Sequence, residues 1–255
     1  FNSEKPILFP DITYSFYKVW AELYRIPYEC PALDGDFRIV KEDYYRENGG
    51  IIFPNPNAPT AIYEELDFIE DILEHNRDSI VIVDEAYVDF AGRSAMELIG
   101  KYDNLIVTQT FSKARSLAGM RIGYAISNPD LIRCLNDVKY SFNSYTMSRA
   151  AIVCGSAAVE DRAYFEKSVG RIKETRERTK EELAKLGFEF TDSKANFLFA
   201  RHPRYDGGRL FRELRDANIY VRHWDDEKIG QYLRITVGTD EEMDTLLDFL
   251  RKQLS

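Results

Sequence analysis

The sequence has 255 residues, 44% of them hydrophobic and 30% charged, and its formal net charge is −9 at pH 7. A chain of this size can bury a sizeable core, and none of its apolar runs approaches the roughly 20 residues that a membrane-spanning helix needs. The excess of acidic residues argues against nucleic-acid binding, which calls for clustered Lys and Arg, so we expect a soluble globular protein with a small-molecule ligand.

Short apolar runs alternate with helical patterns through the first two-thirds of the chain. Four such runs stand out, at residues 50–53, 80–83, 105–107 and 122–126. A helical pattern occupies residues 63–75, between the first two runs. This alternation predicts an α/β fold with a mostly parallel sheet flanked by helices. Such sheets bind ligands at the carboxyl ends of their strands, where this sequence carries Asn57, Asp84 and residues 110–113.

The last hundred residues follow a different pattern. The predicted helices occupy residues 161–186, 208–217 and 241–254, and the predicted strands occupy residues 197–199, 219–221 and 232–235. This order is typical of a smaller α+β domain. We therefore expect a large domain over residues 1–145 and a small C-terminal domain over residues 146–255.

The cysteines and histidines give no sign of a disulfide framework or a metal centre. The three cysteines, Cys30, Cys134 and Cys154, are odd in number and widely separated, which is typical of reduced thiols in the cytoplasm. The three histidines have no metal-ligand spacing with one another or with the cysteines. We expect a cytoplasmic protein without a metal site.

The strongest chemical signal lies between Thr110 and Arg121. A predicted strand ends in hydroxyl residues at Thr110 and Ser112, Lys113 follows at once, and Arg121 comes eight positions later. A lysine can condense with an aldehyde cofactor, while hydroxyls and a guanidinium hold its phosphate. A surface lysine in a Ser-rich turn is the simpler alternative. A nucleotide phosphate loop is a second one, but the Gly-x4-Gly-Lys-Ser/Thr spacing is absent.

This segment resembles the Schiff-base lysine motif of the fold-type-I, class II aminotransferases that use pyridoxal 5′-phosphate (PLP), over about ten contiguous positions. The resemblance implies the PLP-dependent transferase fold of type I. It also implies that Lys113 attaches the cofactor, that Thr110, Ser112 and Arg121 bind its phosphate, and that the protein is a homodimer.

Two further segments match the family in the same order along the chain. Asp84 follows an apolar run and Tyr87 comes three residues later; the resemblance implies that they contact the pyridine nitrogen and the 3′-oxygen of PLP. A carboxylate there keeps the ring nitrogen protonated, so that the ring can accept electrons. Asn57 lies in a proline-rich loop similar to the family's Asn-Pro-x-Asn-Pro-Thr loop, which implies a hydrogen bond to the same 3′-oxygen. A strand-terminal aspartate that caps a turn is the alternative for Asp84.

The C-terminal part supplies the candidate substrate contacts. Arg234, within the run 231–239, resembles the family's arginine for the substrate carboxylate, and this run is particularly similar to the histidinol-phosphate aminotransferase subgroup. An edge-strand arginine paired with a surface acid is the structural alternative. Tyr14 matches the aromatic residue that stacks on the pyridine ring, although core packing also explains a tyrosine here. Asn196 and Arg222 are weaker candidates for the substrate pocket, and Arg222 can meet a phosphate or acidic group.

The resemblance implies an aminotransferase that moves an amino group between an amino acid or amine, similar to histidinol phosphate, and a 2-oxo acid. The same residues also serve decarboxylases of the threonine-phosphate type and ligand-sensing domains of transcriptional regulators, so these alternatives stay open. The chain begins at Phe1 without Met and enters an apolar segment at residues 6–10. We expect the N-terminal part of the domain to be missing, since the family's upstream phosphate-binding loop and its tyrosine for the neighbouring subunit are not identifiable.

Overall fold

The computed structural model describes residues 4–254, which form two β-sheets packed against helices. The strands of the first sheet are Ile7–Leu8 (β1), Tyr28–Glu29 (β2), Gly50–Pro54 (β3), Val81–Asp84 (β4), Leu105–Thr110 (β5) and Gly123–Ile126 (β6). Their spatial order is β2-β1-β3-β4-β5-β6. All neighbours are parallel except β5 and β6, which are antiparallel. The predicted mostly parallel sheet is thus confirmed.

The second sheet is antiparallel and has two unlike faces. Its strands are Glu189–Phe190 (β7), Phe197–Arg201 (β8), Arg222–His223 (β9) and Leu233–Thr236 (β10), in the order β7-β8-β10-β9. The side chains that fill the core under this sheet are those of Leu198, Ala200, Leu233 and Ile235. Because side chains alternate along a strand, Phe197, Phe199 and Arg234 lie on the other face, and we call this face the site face.

Seven helices cover the sheets in the described part of the chain. They are Phe16–Leu23 (α1), Leu66–His75 (α2), Pro129–Phe142 (α3), Arg149–Glu160 (α4), Arg162–Lys185 (α5), Gly207–Asp216 (α6) and Asp240–Leu254 (α7). Side-chain caps fix several starts: the Asn128 side chain accepts hydrogen bonds from the first turn of α3, and Asp206 does so for α6. Four short 3-10 turns also occur, at Lys41–Tyr44, Val88–Phe90, Ala95–Leu98 and Ala118–Met120.

The central strands hold the large core because they are apolar throughout. Ile51, Val81 and Leu105 stand next to one another across β3, β4 and β5, and each is fully buried. Helix α2 packs Ile69 and Leu73 against them, as its spacing predicts. We propose that the boundary between the large and small domains lies near residue 145, between α3 and α4.

One predicted strand is wrong. Residues 219–221 form no strand, and the pairing starts at Arg222. Helix α6 ends here with Asn218 in a left-handed conformation (φ 60°), and the amide of Ile219 donates to the carbonyl of Leu214 at 2.9 Å. Ile219 and Val221 pack against the core of the small domain, so their apolar alternation reflects packing at a helix end.

None of the described helices is long and apolar enough to cross a membrane. Within residues 4–254, no cluster of three His, Cys, Asp or Glu side chains has the arrangement of a metal site.

Candidate active site

The carboxyl ends of β3, β4 and β5 bring three predicted site residues to one edge of the first sheet. Pro54 pairs with Asp84, and Asp84 pairs with Thr108, so the loops that follow these strands start side by side. The loop after β3 carries Asn57, β4 itself ends at Asp84, and the loop after β5 carries Lys113. The parallel arrangement of the strands is enough to bring these three residues to the same edge of the sheet.

Asp84 is the carboxylate at the centre of this edge. Its Oδ2 accepts a hydrogen bond from the hydroxyl of Tyr17 at 2.7 Å, and its Oδ1 accepts one from the amide of Ala86 at 3.2 Å. Burial raises the pKa of Asp84, while the Tyr17 hydroxyl, the Ala86 amide and the charge of Lys113 act in the opposite direction. Asp84 therefore combines a desolvated position with several groups that favour its ionised form.

The neighbouring acid, Glu85, has a structural role instead. It is 2% exposed and accepts hydrogen bonds from Ser94 Oγ (2.5 Å), the amide of Ala95 (2.6 Å) and Gln109 Nε2 (2.7 Å). None of these partners is shared with Asp84, which bonds to Tyr17 and Ala86 instead. Only the first acid of the Asp-Glu pair faces the site.

Lys113 lies over the ring of Tyr87, with its Nζ 5.3 Å from the ring centroid. The Tyr87 ring in turn meets the ring of Phe197 edge-on, with centroids 5.1 Å apart. Neither the Lys113 ammonium nor the Tyr87 hydroxyl has a hydrogen-bond partner among residues 4–254. Both polar groups are thus free for a ligand.

The loop between Thr110 and Arg121 collects groups that suit a phosphate. Thr110 Oγ1 lies 2.9 Å from Ser112 Oγ and accepts a hydrogen bond from the amide of Ser112 at 3.1 Å. Arg121 forms no ion pair in the described chain, and its side chain reaches only the carbonyl of Ala118, at 3.0 Å. Its backbone is left-handed (φ 55°), which costs about 1 kcal/mol outside glycine. The loop is held in a conformation that local preferences do not favour.

Asn57 is buried, and both polar atoms of its side chain are hydrogen-bonded. Its Nδ2 donates to the carbonyl of Ile12 and to Thr60 Oγ1, both at 3.0 Å, and its Oδ1 accepts from Thr13 Oγ1 at 3.0 Å. A bond from Nδ2 to a cofactor oxygen would therefore replace one of the present partners. The sequence did not indicate Thr13 or Thr60 as neighbours of Asn57.

Tyr14 lies near this edge but is less enclosed than Tyr17. Tyr14 is 43% exposed, whereas Tyr17 is 3% exposed. The two rings meet edge-on at 5.5 Å, and Tyr14 also stacks on Phe16 at 5.7 Å. An exposed ring beside the Asp84 partner is free to cover a flat ligand. The stacking role of Tyr14 stays a prediction.

The site face of the second sheet carries the candidate arginines. Arg234 stands directly opposite Arg222 across β10 and β9, and neither forms an ion pair in the described chain. The guanidinium carbon of Arg234 lies 5.1 Å from the Phe197 ring centroid, and its Nε is buried without a hydrogen-bond partner. A buried, unpaired guanidinium nitrogen is costly unless an anion meets it. The alternative of a surface ion pair for Arg234 is therefore wrong.

Asn196 lies one residue before β8 rather than on a strand, between Ala195 and Phe197. Its carbonyl accepts a hydrogen bond from the amide of Val237 at 2.9 Å. Its side chain has no hydrogen-bond partner among the described residues, so it too is available to a ligand.

Arg176 is a residue that the sequence did not indicate. It is 5% exposed within α5, and its Nη1 donates to the carbonyls of Phe90 and Ala195, both at 3.0 Å. These carbonyls belong to the loop that follows Tyr87 and to the segment that precedes Phe197. Arg176 thus joins the two sheets next to the site.

The free groups at this edge fit PLP. The unpaired Lys113 ammonium suits its aldehyde, and Thr110, Ser112 and Arg121 offer hydroxyls and an unpaired cation to its phosphate. The buried carboxylate of Asp84 suits a protonated ring nitrogen, and the unpaired Tyr87 hydroxyl suits a phenolate oxygen. No group in this set conflicts with the cofactor.

Comparison with known proteins gives the aminotransferase family that the sequence motifs resemble. The model of the family "Aminotransferase class I and II" matches residues 1–250. A histidinol-phosphate aminotransferase of Lactococcus lactis subsp. cremoris (strain MG1363) is 52% identical over 254 residues, covering 100% of this chain and 71% of that protein.

Solved structures with low sequence identity share the fold. The histidinol-phosphate aminotransferase of Sinorhizobium meliloti in complex with pyridoxal-5′-phosphate has a TM-score of 0.88 at 23% identity, covering 99% of this chain and 72% of that one. The L-threonine-O-3-phosphate decarboxylase of Porphyromonas gingivalis has a TM-score of 0.82 at 20% identity, covering 98% and 77%. Because the fold includes both enzymes, the fold alone does not determine the reaction.

The chain belongs to the aminotransferase class I and II family. It is a PLP-dependent aminotransferase of fold type I, with an amino acid and a 2-oxo acid as its substrate classes.

Proposed function

We propose that this aminotransferase takes histidinol phosphate, or an amine close to it, as amino donor and a 2-oxo acid as acceptor. The observation that carries the proposal is the pair Arg222 and Arg234, two opposed cations without acid partners on the site face. Two guanidinium groups suit a phosphate monoester, which carries close to two negative charges. The 52% identity to the lactococcal histidinol-phosphate aminotransferase supports the same substrate.

The residues of the first sheet would hold and tune the cofactor. Lys113 would attach it and then move the proton at the substrate Cα, since its ammonium is unpaired and lies over Tyr87. Asp84 would keep the ring nitrogen protonated, and Tyr87 and Asn57 would stabilise the negative 3′-oxygen. When bound, PLP supplies an electron sink for the charge left on Cα after proton loss.

The remaining residues would bind phosphate and substrate. Thr110, Ser112 and Arg121 would grip the cofactor phosphate, and Tyr14 would cover the pyridine ring. On the site face, Arg234 and Arg222 would bind the anionic group of the substrate, and the free side chain of Asn196 would contribute a hydrogen bond. The contacts from Lys113 through Tyr87 and Phe197 to Arg234 support a single site shared by these two groups of residues.

We also propose that the protein is a homodimer. Helix α3 has no buried residue, and exposed apolar side chains occupy its C-terminal part and the segment just after it: Val138, Tyr140, Phe142 and Tyr145 are 68%, 62%, 87% and 92% exposed. Exposed apolar surface of this kind marks an interaction site.

We further propose that the protein is located in the cytoplasm. Its three free cysteines support a reducing compartment.

The test of the substrate is a half-reaction screen with the PLP-loaded protein. Histidinol phosphate, histidinol, histidine and threonine phosphate would each be added alone, while the cofactor absorbance and carbon dioxide release are followed. We expect the fastest spectral change with histidinol phosphate and no carbon dioxide release. Histidinol should react at least about tenfold less efficiently, because a lost charge-assisted contact costs about 1.5–3 kcal/mol. Equal efficiency for histidinol and its phosphate would refute a phosphate role for the arginine pair, and carbon dioxide from threonine phosphate would indicate a decarboxylase.

A further inference from the structure

Trp224 contacts both arginines of the site face. It directly follows β9, and its ring centroid lies 5.4 Å from the guanidinium carbon of Arg222 and 5.9 Å from that of Arg234. Its ring also meets Phe199 edge-on at 6.5 Å. Both guanidinium distances fall within the range of a cation–π contact. One indole ring is therefore shared by two cations.

The shared ring compensates for an unfavourable charge arrangement. Like charges directly opposite each other on neighbouring strands repel, and no acid of the described chain pairs with Arg222 or Arg234. An aromatic face attracts each cation through its quadrupole. It does not occupy the N–H donors of the guanidinium groups, so these donors stay available to bind an anion. An acidic residue in place of Trp224 would instead neutralise the pair and occupy these donors.

The loop that carries Trp224 is itself anchored. The carbonyl of Asp226 accepts a hydrogen bond from the amide of Gly230 at 2.7 Å, so residues 226–230 close into a turn. A Cβ at Gly230 would lie 2.5 Å from that carbonyl oxygen, so only glycine fits there. Lys228 then pairs with Asp11 of the first sheet's loops at 2.6 Å. The indole is thus attached to a fixed loop rather than to a free one.

We propose that Trp224 is a positioning residue that holds Arg222 and Arg234 side by side for one doubly charged group, and so determines the preference for a phosphate ester over a carboxylate. This inference rests on the proposed function, since it assumes that the substrate anion binds to the arginine pair. A carboxylate can fill one guanidinium fork, whereas a phosphate monoester has three oxygens and can bind both guanidinium groups. Losing the ring should therefore weaken phosphate binding more than carboxylate binding.

The experiment uses the PLP-loaded protein, in which the cofactor fills its own phosphate site. The chain has two tryptophans, so Trp20→Phe leaves Trp224 as the only one, and Trp20 lies on α1, outside the arginine pair. Inorganic phosphate should change the emission of Trp224 saturably, because binding moves charge next to its ring. Calorimetric titration of Trp224→Phe and Trp224→Leu with phosphate and with acetate then tests the preference.

We expect the phosphate affinity to fall in the order Trp, Phe, Leu, with a loss of about tenfold for Trp224→Leu, the size expected from two cation–π contacts. Acetate affinity should change by less than about twofold. In kinetics, the KM for the phosphate ester should rise by about the same tenfold factor while kcat stays nearly constant, since the affected contact is remote from the reacting atoms.

Three results would overturn the role of Trp224: unchanged phosphate affinity in Trp224→Leu, equal losses for phosphate and acetate, or a silent Trp224 emission. Thermal unfolding of each variant separates these results from misfolding, and Trp224→Phe keeps the test open if the leucine variant is unstable. Arg234→Met distinguishes the two proposals. If it weakens phosphate binding and Trp224→Leu does not, only the role of Trp224 is wrong. If neither variant changes phosphate binding, the proposed substrate site is wrong as well.

Discussion

The hydroxyl of Tyr17 donates a hydrogen bond to Oδ2 of Asp84 at 2.7 Å, between residues 67 positions apart in the sequence. Tyr17 is itself enclosed, and burial together with the charge of Asp84 raises the pKa of its hydroxyl. The phenol therefore stays protonated and acts as a permanent donor to the carboxylate. This bond offsets part of the desolvation that Asp84 experiences.

Replacing Tyr17 with Phe should destabilise the cofactor-free protein in a pH-dependent way. Because burial holds the folded-state pKa of Asp84 above its unfolded value, the protonated group favours folding, and this contribution is lost as pH rises through the folded pKa. Removing the Tyr17 donor raises that pKa further, so the variant loses more folding stability, and continues to lose it up to a higher pH. We expect about 1–3 kcal/mol lower stability at pH 8 and a smaller difference near pH 4, measured by urea unfolding.

Tyr28→Phe is the matched control for this variant, since its hydroxyl bonds to Glu22 at an exposed position. It should leave the free energy of unfolding nearly unchanged at both pH values. A Tyr17→Phe difference that is the same at pH 4 and pH 8 would show that the bond does not act on the titration of Asp84.

Replacing Arg121 with Met should weaken PLP binding by about 10- to 100-fold, the cost of one lost charge-assisted contact to phosphate. Its guanidinium has no ion pair in the described chain, so the variant breaks no acid contact. Equilibrium dialysis against PLP measures the change. Arg133→Met, which removes an exposed arginine paired with Asp130 on α3, should leave the affinity unchanged, and equal affinity in both variants would remove Arg121 from the phosphate site.

Replacing Arg176 with Met should cost about 2–5 kcal/mol of unfolding free energy, because the carbonyls of Phe90 and Ala195 both lose their buried donor. Denaturant unfolding measures this loss. Arg162→Met provides the comparison in the same helix, where the arginine is 84% exposed and pairs with Glu166. It should leave the free energy of unfolding nearly unchanged, and similar costs for both variants would mean that Arg176 does not join the sheets.

The double change Val138→Glu and Phe142→Glu should convert the proposed dimer into a monomer. Both side chains are exposed on α3, so folding should tolerate the glutamates, whereas a buried interface should not tolerate two unpaired charges. Light scattering coupled to size-exclusion chromatography gives the mass. Asp137→Ala and Lys139→Ala on the same helix are the control changes, and a wild-type protein of monomeric mass would contradict the proposal.

The sequence alone predicts strands β3 to β6 and the edge where the candidate site lies, because these depend on local signals, but it does not predict the two-residue strands β1 and β2. The runs that become β3, β4 and β5 are continuously apolar, and parallel topology then brings Asn57, Asp84 and Lys113 together without further information. Tyr17 could not be selected in this way. The chain has 16 tyrosines, and only the packing of α1 against the sheet decides which of them reaches Asp84.

The small domain shows the same limit. Residues 219–221 have the apolar alternation of a strand, but the end of α6 determines their conformation instead. Trp224 lies two residues after Arg222, a spacing that places both on one face of an extended segment. That spacing was available in the sequence, yet its meaning depends on Arg234, which only the pairing of β9 and β10 brings alongside.

The contacts that lead from Lys113 to Tyr87, Phe197 and Arg234 measure 5.3, 5.1 and 5.1 Å in turn. The two middle members are rigid rings in one buried cluster, so packing holds the segments that carry Lys113 and Arg234 in a fixed relation to each other. If Lys113 and Arg234 contact the two ends of the substrate, as proposed, the chain would favour molecules whose reacting carbon and anionic group have the matching separation. Replacing Phe197 with a smaller side chain would then shift the preferred length of the substrate rather than simply reduce the rate.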